Sequence, residues 1–329
     1  MCVQFVVNLL MEDVMTKLLI VGDLHAADKT PVGRTDNYLA ALLNKLDQIK
    51  EIYRREYAAA EGDLEVVFLG DIFHRKRPNY VSHFLVNLLQ RFFDEFYSPP
   101  FILIGNHDVP LASKGLEWYP IGSLRNVDLV DSPMDWSVGD ALLLFYPGHI
   151  DFSYELLAEF VDKYALKSRT ILFVHNAISE MHLPFTYLHP KNLMSLGVSD
   201  VVFGHIHTRY GPKKFGRTVF FDPGAVMRVS RAKSDLELQP AVAIVDLDKE
   251  GLESYTIVEL EVEDAYNVFD VAGLEAAKST EVARTQFIEA LDTFDIGSSS
   301  DYLLEQIKRA VISDDLKQLI ISTLEQMME

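Results

Sequence analysis

The chain has 329 residues, 49% of them apolar, a formal net charge of -19 and one cysteine, Cys2. One cysteine excludes an intrachain disulfide and a thiolate zinc site, and points to a reducing, cytoplasmic setting. The longest apolar runs, such as residues 64–69 and 141–146, are too short to span a membrane. The negative charge argues against binding nucleic acid, which favours basic surface. Its distribution weakens that argument, because residues 251–329 hold 17 acidic and 5 basic side chains.

The first residues contain an apolar stretch without a basic region before it or a small-residue cleavage site, so no signal peptide is expected. Residues 1–14, ahead of a strong strand at 17–22, are read either as an extension from an upstream start site or as a docked N-terminal segment. Leu39, Leu42, Leu43, Leu46, Ile49 and Ile52 recur at helical spacing and predict a helix over 36–60. A second strand at 64–70, a helix at 80–97 and a third strand at 101–105 follow. Strands alternating with helices argue for a layered α/β domain with parallel pairing. Further strands at 141–146, 170–174, 200–203 and 218–221 are separated by less helix, which predicts a mixed sheet or a doubled, sandwich-like one. A hairpin is expected over 242–262 around Lys249-Glu250-Gly251, and helices from 273 onward. The expected organisation is an α/β domain over 15–235, mixed sheets flanked by helices, with a small acidic α+β cap over 236–329. In that cap, the helices with apolar positions Leu303, Leu304, Ile307, Val311, Ile312, Leu316, Leu319, Ile320 and Leu324 either pack on the core or bind a partner.

Five short blocks each follow an apolar strand and end in oxygen or imidazole groups: Gly22-Asp23-Leu24-His25, Gly70-Asp71-Ile72-Phe73-His74, Gly105-Asn106-His107-Asp108, Val174-His175-Asn176 and Gly204-His205-Ile206-His207. The C-terminal ends of strands in an α/β sheet face one edge, so the loops should converge. A single Asp-x-His triplet commonly caps a turn, but five such blocks in succession, each after a strand, are hard to explain structurally. Asp23, His25, Asp71, Asn106, His175, His205 and His207 are too many for one tetrahedral zinc and suit two ions sharing a carboxylate. Oxygen and nitrogen donors without sulfur favour Mn²⁺, Fe²⁺ or Zn²⁺ over Ca²⁺. Two such ions, about 3.5–4 Å apart, can clamp a phosphoryl group and activate water. The remaining histidines and tryptophans (His83, His149, His182, His189, Trp118 and Trp136) read mainly as solvent-facing or packing residues.

The order D-x-H, GD, GNHD, H, GHxH over residues 17–230 resembles the calcineurin-like metallophosphoesterases. That resemblance implies one metal on Asp23, His25 and His207, a second on Asn106, His175 and His205, and Asp71 as the bridge. It makes His107 a proton donor or transition-state stabiliser, supported by Asp108. The extended block ending in His74 and followed by Arg75-Lys76-Arg77-Pro78 is similar to the SbcD-type DNA-repair nucleases, as are the GHIH-Thr208-Arg209-Tyr210 run and the turn Asp222-Pro223-Gly224-Ala225, where Ala225 stands in place of a serine. The finer resemblance implies Mn²⁺-dependent exonuclease and endonuclease action on DNA, a role for His74 in the exonuclease reaction, a coiled-coil ATPase of the SMC type as partner, and a homodimer. Arg75, Lys76, Arg77, Arg209, Lys213, Lys214 and Arg217 lie just beyond ligand loops and could contact a DNA backbone. The rivals are a phosphoesterase acting on nucleotides or other small molecules, a phosphoprotein phosphatase, and a non-catalytic scaffold with a structural metal site. His107 argues against the scaffold, since a purely structural site has no use for it.

Overall fold

A computed structural model describes residues 16–74, 81–109 and 115–270. By contact the chain divides into two units, Met1–Val268 and Phe269–Glu329. The N-terminal extension, Arg75, Lys76, Arg77 and the helices expected beyond 273 lie outside the described residues.

In chain order the elements are β1 (Lys17–Val21), α1 (Tyr38–Ala59), β2 (Leu64–Phe68), α2 (His83–Phe93), β3 (Phe101–Leu103), β4 (Asp128–Val130), β5 (Met134–Val138), β6 (Ala141–Tyr146), α3 (Tyr154–Val161), β7 (Arg169–His175), α4 (Pro190–Leu193), β8 (Asp200–Gly204), β9 (Tyr210–Phe215), β10 (Thr218–Asp222), α5 (Lys233–Leu236), β11 (Ala241–Asp246), β12 (Tyr255–Glu259) and α6 (Ala265–Val268). The helices start where capping chemistry allows. Asn37 accepts from Ala40 N ahead of α1, and Ser82 accepts from Leu85 N ahead of α2.

Two six-stranded sheets form, in the orders β12-β11-β1-β2-β3-β4 and β5-β6-β7-β8-β10-β9. Strand alternation sorts their side chains into layers. Leu18 and Ile20 of β1 point between the sheets, where they meet Val67, Leu103, Phe145, Phe173, Val202 and Phe221. Leu19 and Val21 point the other way, onto Leu42, Leu46, Ile49, Leu89 and Phe93 of α1 and α2. The outer face of the second sheet is covered similarly, with Leu142, Leu144, Leu172 and Val174 packed on Leu157 and Phe160 of α3. Both faces of the central strands are therefore buried, which is why they read as continuous apolar runs. Each fully buried Leu or Phe contributes roughly 1.5–3 kcal/mol by transfer from water. The doubled, mixed-sheet sandwich expected from the strand spacing is the fold observed. Among the described residues no helix is long and apolar enough to cross a membrane.

One boundary is corrected. The hairpin expected in a C-terminal cap belongs to the first sheet: β11 pairs antiparallel with β1 from Lys17↔Asp246 to Val21↔Val242, and β12 pairs with β11. The reason is burial. Val242, Ala243 and Val245 are fully enclosed, and β1 without β11 would be an apolar strand with an open edge.

Candidate metal centre

Within each sheet the strands that precede the ligand blocks run parallel. β1, β2 and β3 do so in the first sheet, and β7 and β8 in the second. Their C-terminal ends bring the five blocks together. Close backbone approach holds the loops in place. His25 N donates to Asp71 O at 2.8 Å, Val226 N to Asp23 O at 2.8 Å and Ala225 N to His207 O at 2.9 Å. The 222–225 turn thus straps the first block to the fifth, and a Cβ on Gly22 would lie 2.0 Å from Gly224 O. His25, Asp71 and His205 all adopt positive φ, at 49°, 47° and 91°. Non-glycine residues there cost of order 1–3 kcal/mol each and persist where the surroundings impose them.

The expected ligands converge in two groups. Donor atoms of Asp23, His25 and His207 lie within 4.8 Å of one another, and so do those of Asp71, His175 and His205. Asn106 joins the second group, its Oδ1 3.1 Å from His205 Nδ1. Asp71 faces both, with Oδ1 3.5 Å from His175 Nε2 and Oδ2 4.0 Å from His25 Nε2. His25 and His207 turn their Nε2 atoms to each other at 2.8 Å.

These donors fit cations. His175 Nδ1–H donates to Leu69 O at 2.7 Å, which leaves Nε2 as the free nitrogen. That atom is buried without a hydrogen-bond partner and faces a carboxylate oxygen. Lone pair against lone pair is favourable only with a proton or a metal ion between them. The electrostatics agree. Burial opposes charge on Asp71, yet His175 and His25 hold its carboxyl well below the usual range. Burial likewise disfavours charge on His175, but Asp71 and Asp23 raise its pKa to about 10. Burial pushes the Asp23 carboxyl up, and burial with the Asp23 charge pushes Asp222 well above its ordinary value. His205 is lowered to about 4 by burial and by His175. A largely buried site crowded with carboxylates and imidazoles is one that divalent ions would relieve. Bound here, such ions would supply Lewis-acid activation of a phosphoryl group and of water.

His107 sits beside both groups. Its backbone N–H donates to Asp71 Oδ1 at 2.8 Å, and its Nδ1–H donates to His74 O at 2.6 Å. This leaves Nε2 as the ring nitrogen without that bond. Asp108 is buried and ties two blocks together, accepting from Phe73 N at 3.0 Å and Gly105 N at 3.1 Å. Burial and the Asp71 charge push its pKa up to about 7. The contact that sets the His107 ring is thus the His74 carbonyl, while Asp108 positions the loops. The ring of His74 lies 5.4 Å from that of His25 and stacks at 6.0 Å on His107.

Sequence reasoning missed Asp235. This buried carboxylate lies 3.6 Å from His207 Nδ1 and accepts from Val229 N and Ser230 N. It stands 28 residues beyond His207 in a polar stretch without a motif, so only the fold reveals it. The basic residues expected at the rim are partly engaged. Arg209 Nη2 lies 3.3 Å from Glu259 Oε1, and Lys213 Nζ 2.5 Å from Glu180 Oε1, whereas Lys214 is exposed. Among the residues read as bland, His189 caps α4 by accepting from Lys191 N, and Trp136 packs on Phe101.

Several solved structures are similar. The purple acid phosphatase PPD1 of yellow lupin (Lupinus luteus) is 12% identical, over 77% of this chain and 55% of its own, with a TM-score of 0.46. The protein TT1561 of Thermus thermophilus is 11% identical, over 75% of this chain and all of its own, also at 0.46. The E. coli phosphoesterase YfcE is 15% identical over 75% of this chain and all of its own, at 0.35. No curated protein matches. Residues 16–209, over half of the chain, match the model of the calcineurin-like phosphoesterases, and the chain belongs to that family.

Proposed function

We infer that this phosphoesterase hydrolyses DNA phosphodiesters with two divalent ions, Mn²⁺ foremost, as an exonuclease and endonuclease of the SbcD type. The observation that carries the reading is His74. Its ring sits against His25 and His107 at the border of the metal centre, where a strand end held for exonucleolytic cleavage would lie. Asp23, His25 and His207 would hold one ion and Asn106, His175 and His205 the other, with Asp71 shared between them. His107 gives a proton or a hydrogen bond to the leaving oxygen. A coiled-coil ATPase is the proposed partner, with the nuclease as a homodimer in the cytoplasm.

A second reading, hydrolysis of nucleotides or other small phosphoesters, is favoured by the engagement of Arg209 and Lys213 with acidic partners, which removes cations a DNA backbone would use. The test is side-by-side hydrolysis of linear double-stranded DNA, bis-p-nitrophenyl phosphate and p-nitrophenyl phosphate by the Mn²⁺-loaded protein. The nuclease reading expects cleavage of DNA and of the diester. Turnover of the monoester alone would overturn it.

A further inference from the structure

The segment after β7 makes a closed excursion at the rim of the metal centre. Ser179 N donates to Leu188 O and Leu188 N to Ala177 O, both at 3.0 Å, which seals its neck. One shoulder is fastened to β9, because Tyr210 Oη and Lys213 Nζ both donate to Glu180 Oε1, at 2.8 and 2.5 Å. Inside the loop His182 Nδ1 lies 3.3 Å from Tyr187 Oη. Backbone and polar side chains fix the loop, and it leaves two large apolar side chains exposed among polar neighbours: Met181 is 73% exposed and Phe185 50%.

The position of Phe185 gives that exposure a meaning. Its ring stands edge-on to His205, with centroids 6.0 Å apart and planes at 89°. His205 belongs to the Asp71–His175–His205 group. A substituent of a phosphoryl group held there that extends past His205 on this side would meet Phe185. The chemistry of that surface selects the substituent. A phenyl ring gains little from a sugar hydroxyl or a charged peptide, but it stacks favourably on a planar heteroaromatic ring.

We propose that Phe185 forms an apolar subsite beside the second metal position that receives the nucleobase of a nucleotide esterified at the scissile phosphate. This rests on the phosphodiesterase reading and specifies which part of the substrate confers selectivity. The phosphate contributes binding common to all esters, and the base contributes the discrimination.

The experiment compares the Mn²⁺-loaded wild type with Phe185→Ala and Phe185→Trp. Kinetics are measured on thymidylyl-thymidine and on its two analogues in which one base is replaced by hydrogen. Base–aromatic stacking predicts that Phe185→Ala lowers the preference for the base-bearing substrate roughly ten-fold, mainly through KM, and that Phe185→Trp restores it. Equilibrium binding of thymidine 5′-monophosphate and of inorganic phosphate gives a readout without turnover. The alanine variant should lose affinity for the nucleotide and not for phosphate, with its metal content equal to that of the wild type. Equal loss for base-bearing and abasic substrates, or equal loss for nucleotide and phosphate, would overturn the subsite. If the wild type cleaves no diester, the phosphodiesterase reading fails, and the binding comparison still decides whether a base sits on Phe185.

Discussion

His207 Nδ1 faces the buried carboxylate of Asp235 at 3.6 Å, and Asp235 is itself held by two backbone N–H groups. The contact directs the Nδ1–H outward from the metal centre and the Nε2 lone pair into it. Partners of this kind orient an imidazole and raise its basicity. Burial opposes charge on His207, but Asp235 raises its pKa, and His207 in turn keeps Asp235 low. Asp235→Asn is expected to weaken the ion held by Asp23, His25 and His207 about 10–100-fold, with the fold retained. Metal titration followed by calorimetry measures it, and an unchanged affinity would remove Asp235 from the site.

Asp71 turns one oxygen toward His175 and the other toward His25. A carboxylate so placed serves both groups of donors. Asp71→Asn should therefore weaken both ions, with hydrolysis lower by orders of magnitude while the circular dichroism spectrum is kept. Elemental analysis showing two ions bound as tightly as in the wild type would reject the bridging assignment.

His107→Ala should leave metal content intact and lower kcat about 10²–10⁴-fold, the usual contribution of a general acid. The ring makes its hydrogen bond to a carbonyl, so its removal unties little else. A fall in metal stoichiometry would make His107 a ligand instead.

His74→Ser tests the nuclease subclass. Exonuclease activity on linear DNA should fall more than endonuclease activity on a circular single strand. Equal losses, or none, would count against the SbcD-type reading.

Asp200 and Arg169 form a buried pair at 3.3 Å at the opposite end of β7 and β8 from the metal centre, where Asp200 also accepts from Tyr255 Oη and Ser199 Oγ. Asp200→Ala leaves the Arg169 guanidinium buried without its carboxylate, so unfolding should become easier by about 3–5 kcal/mol. Replacing both residues by apolar ones of similar volume should recover most of that loss. Chemical denaturation measures both variants, and a single mutant as stable as the wild type would show the pair to be energetically idle.

Much of this was legible in the sequence because the relevant signals are local. A run such as residues 17–21 or 141–146 announces a strand buried on both faces, and a ligand block ending such a run announces which sheet edge it joins. β5 and β9 were not legible. The first reads Met-Asp-Trp-Ser-Val and the second contains Pro212 and two lysines, since edge strands meet solvent and need no apolar alternation. The β11–β12 hairpin was visible as a hairpin, but its membership in the first sheet was not. Pairing partners are set by the tertiary packing of β1, which carries no local mark. Asp235 escaped for the same reason, because a carboxylate that acts on a histidine across the fold shares no motif with it.

The antiparallel pairing of β1 with β11 also has a consequence for biosynthesis. Lys17 finds Asp246, its partner across the ladder, only after most of the chain has been made. At about 5–20 residues per second, the wait is roughly 10–45 s. For most of it Asp23 and His25, which follow β1, lack His207 and Asp235 as well. A nascent or truncated chain ending before β11 can neither close its first sheet nor set Asp23 and His25 on a finished support. A metal site that depends on this support would be complete only once β11 has emerged and paired with β1.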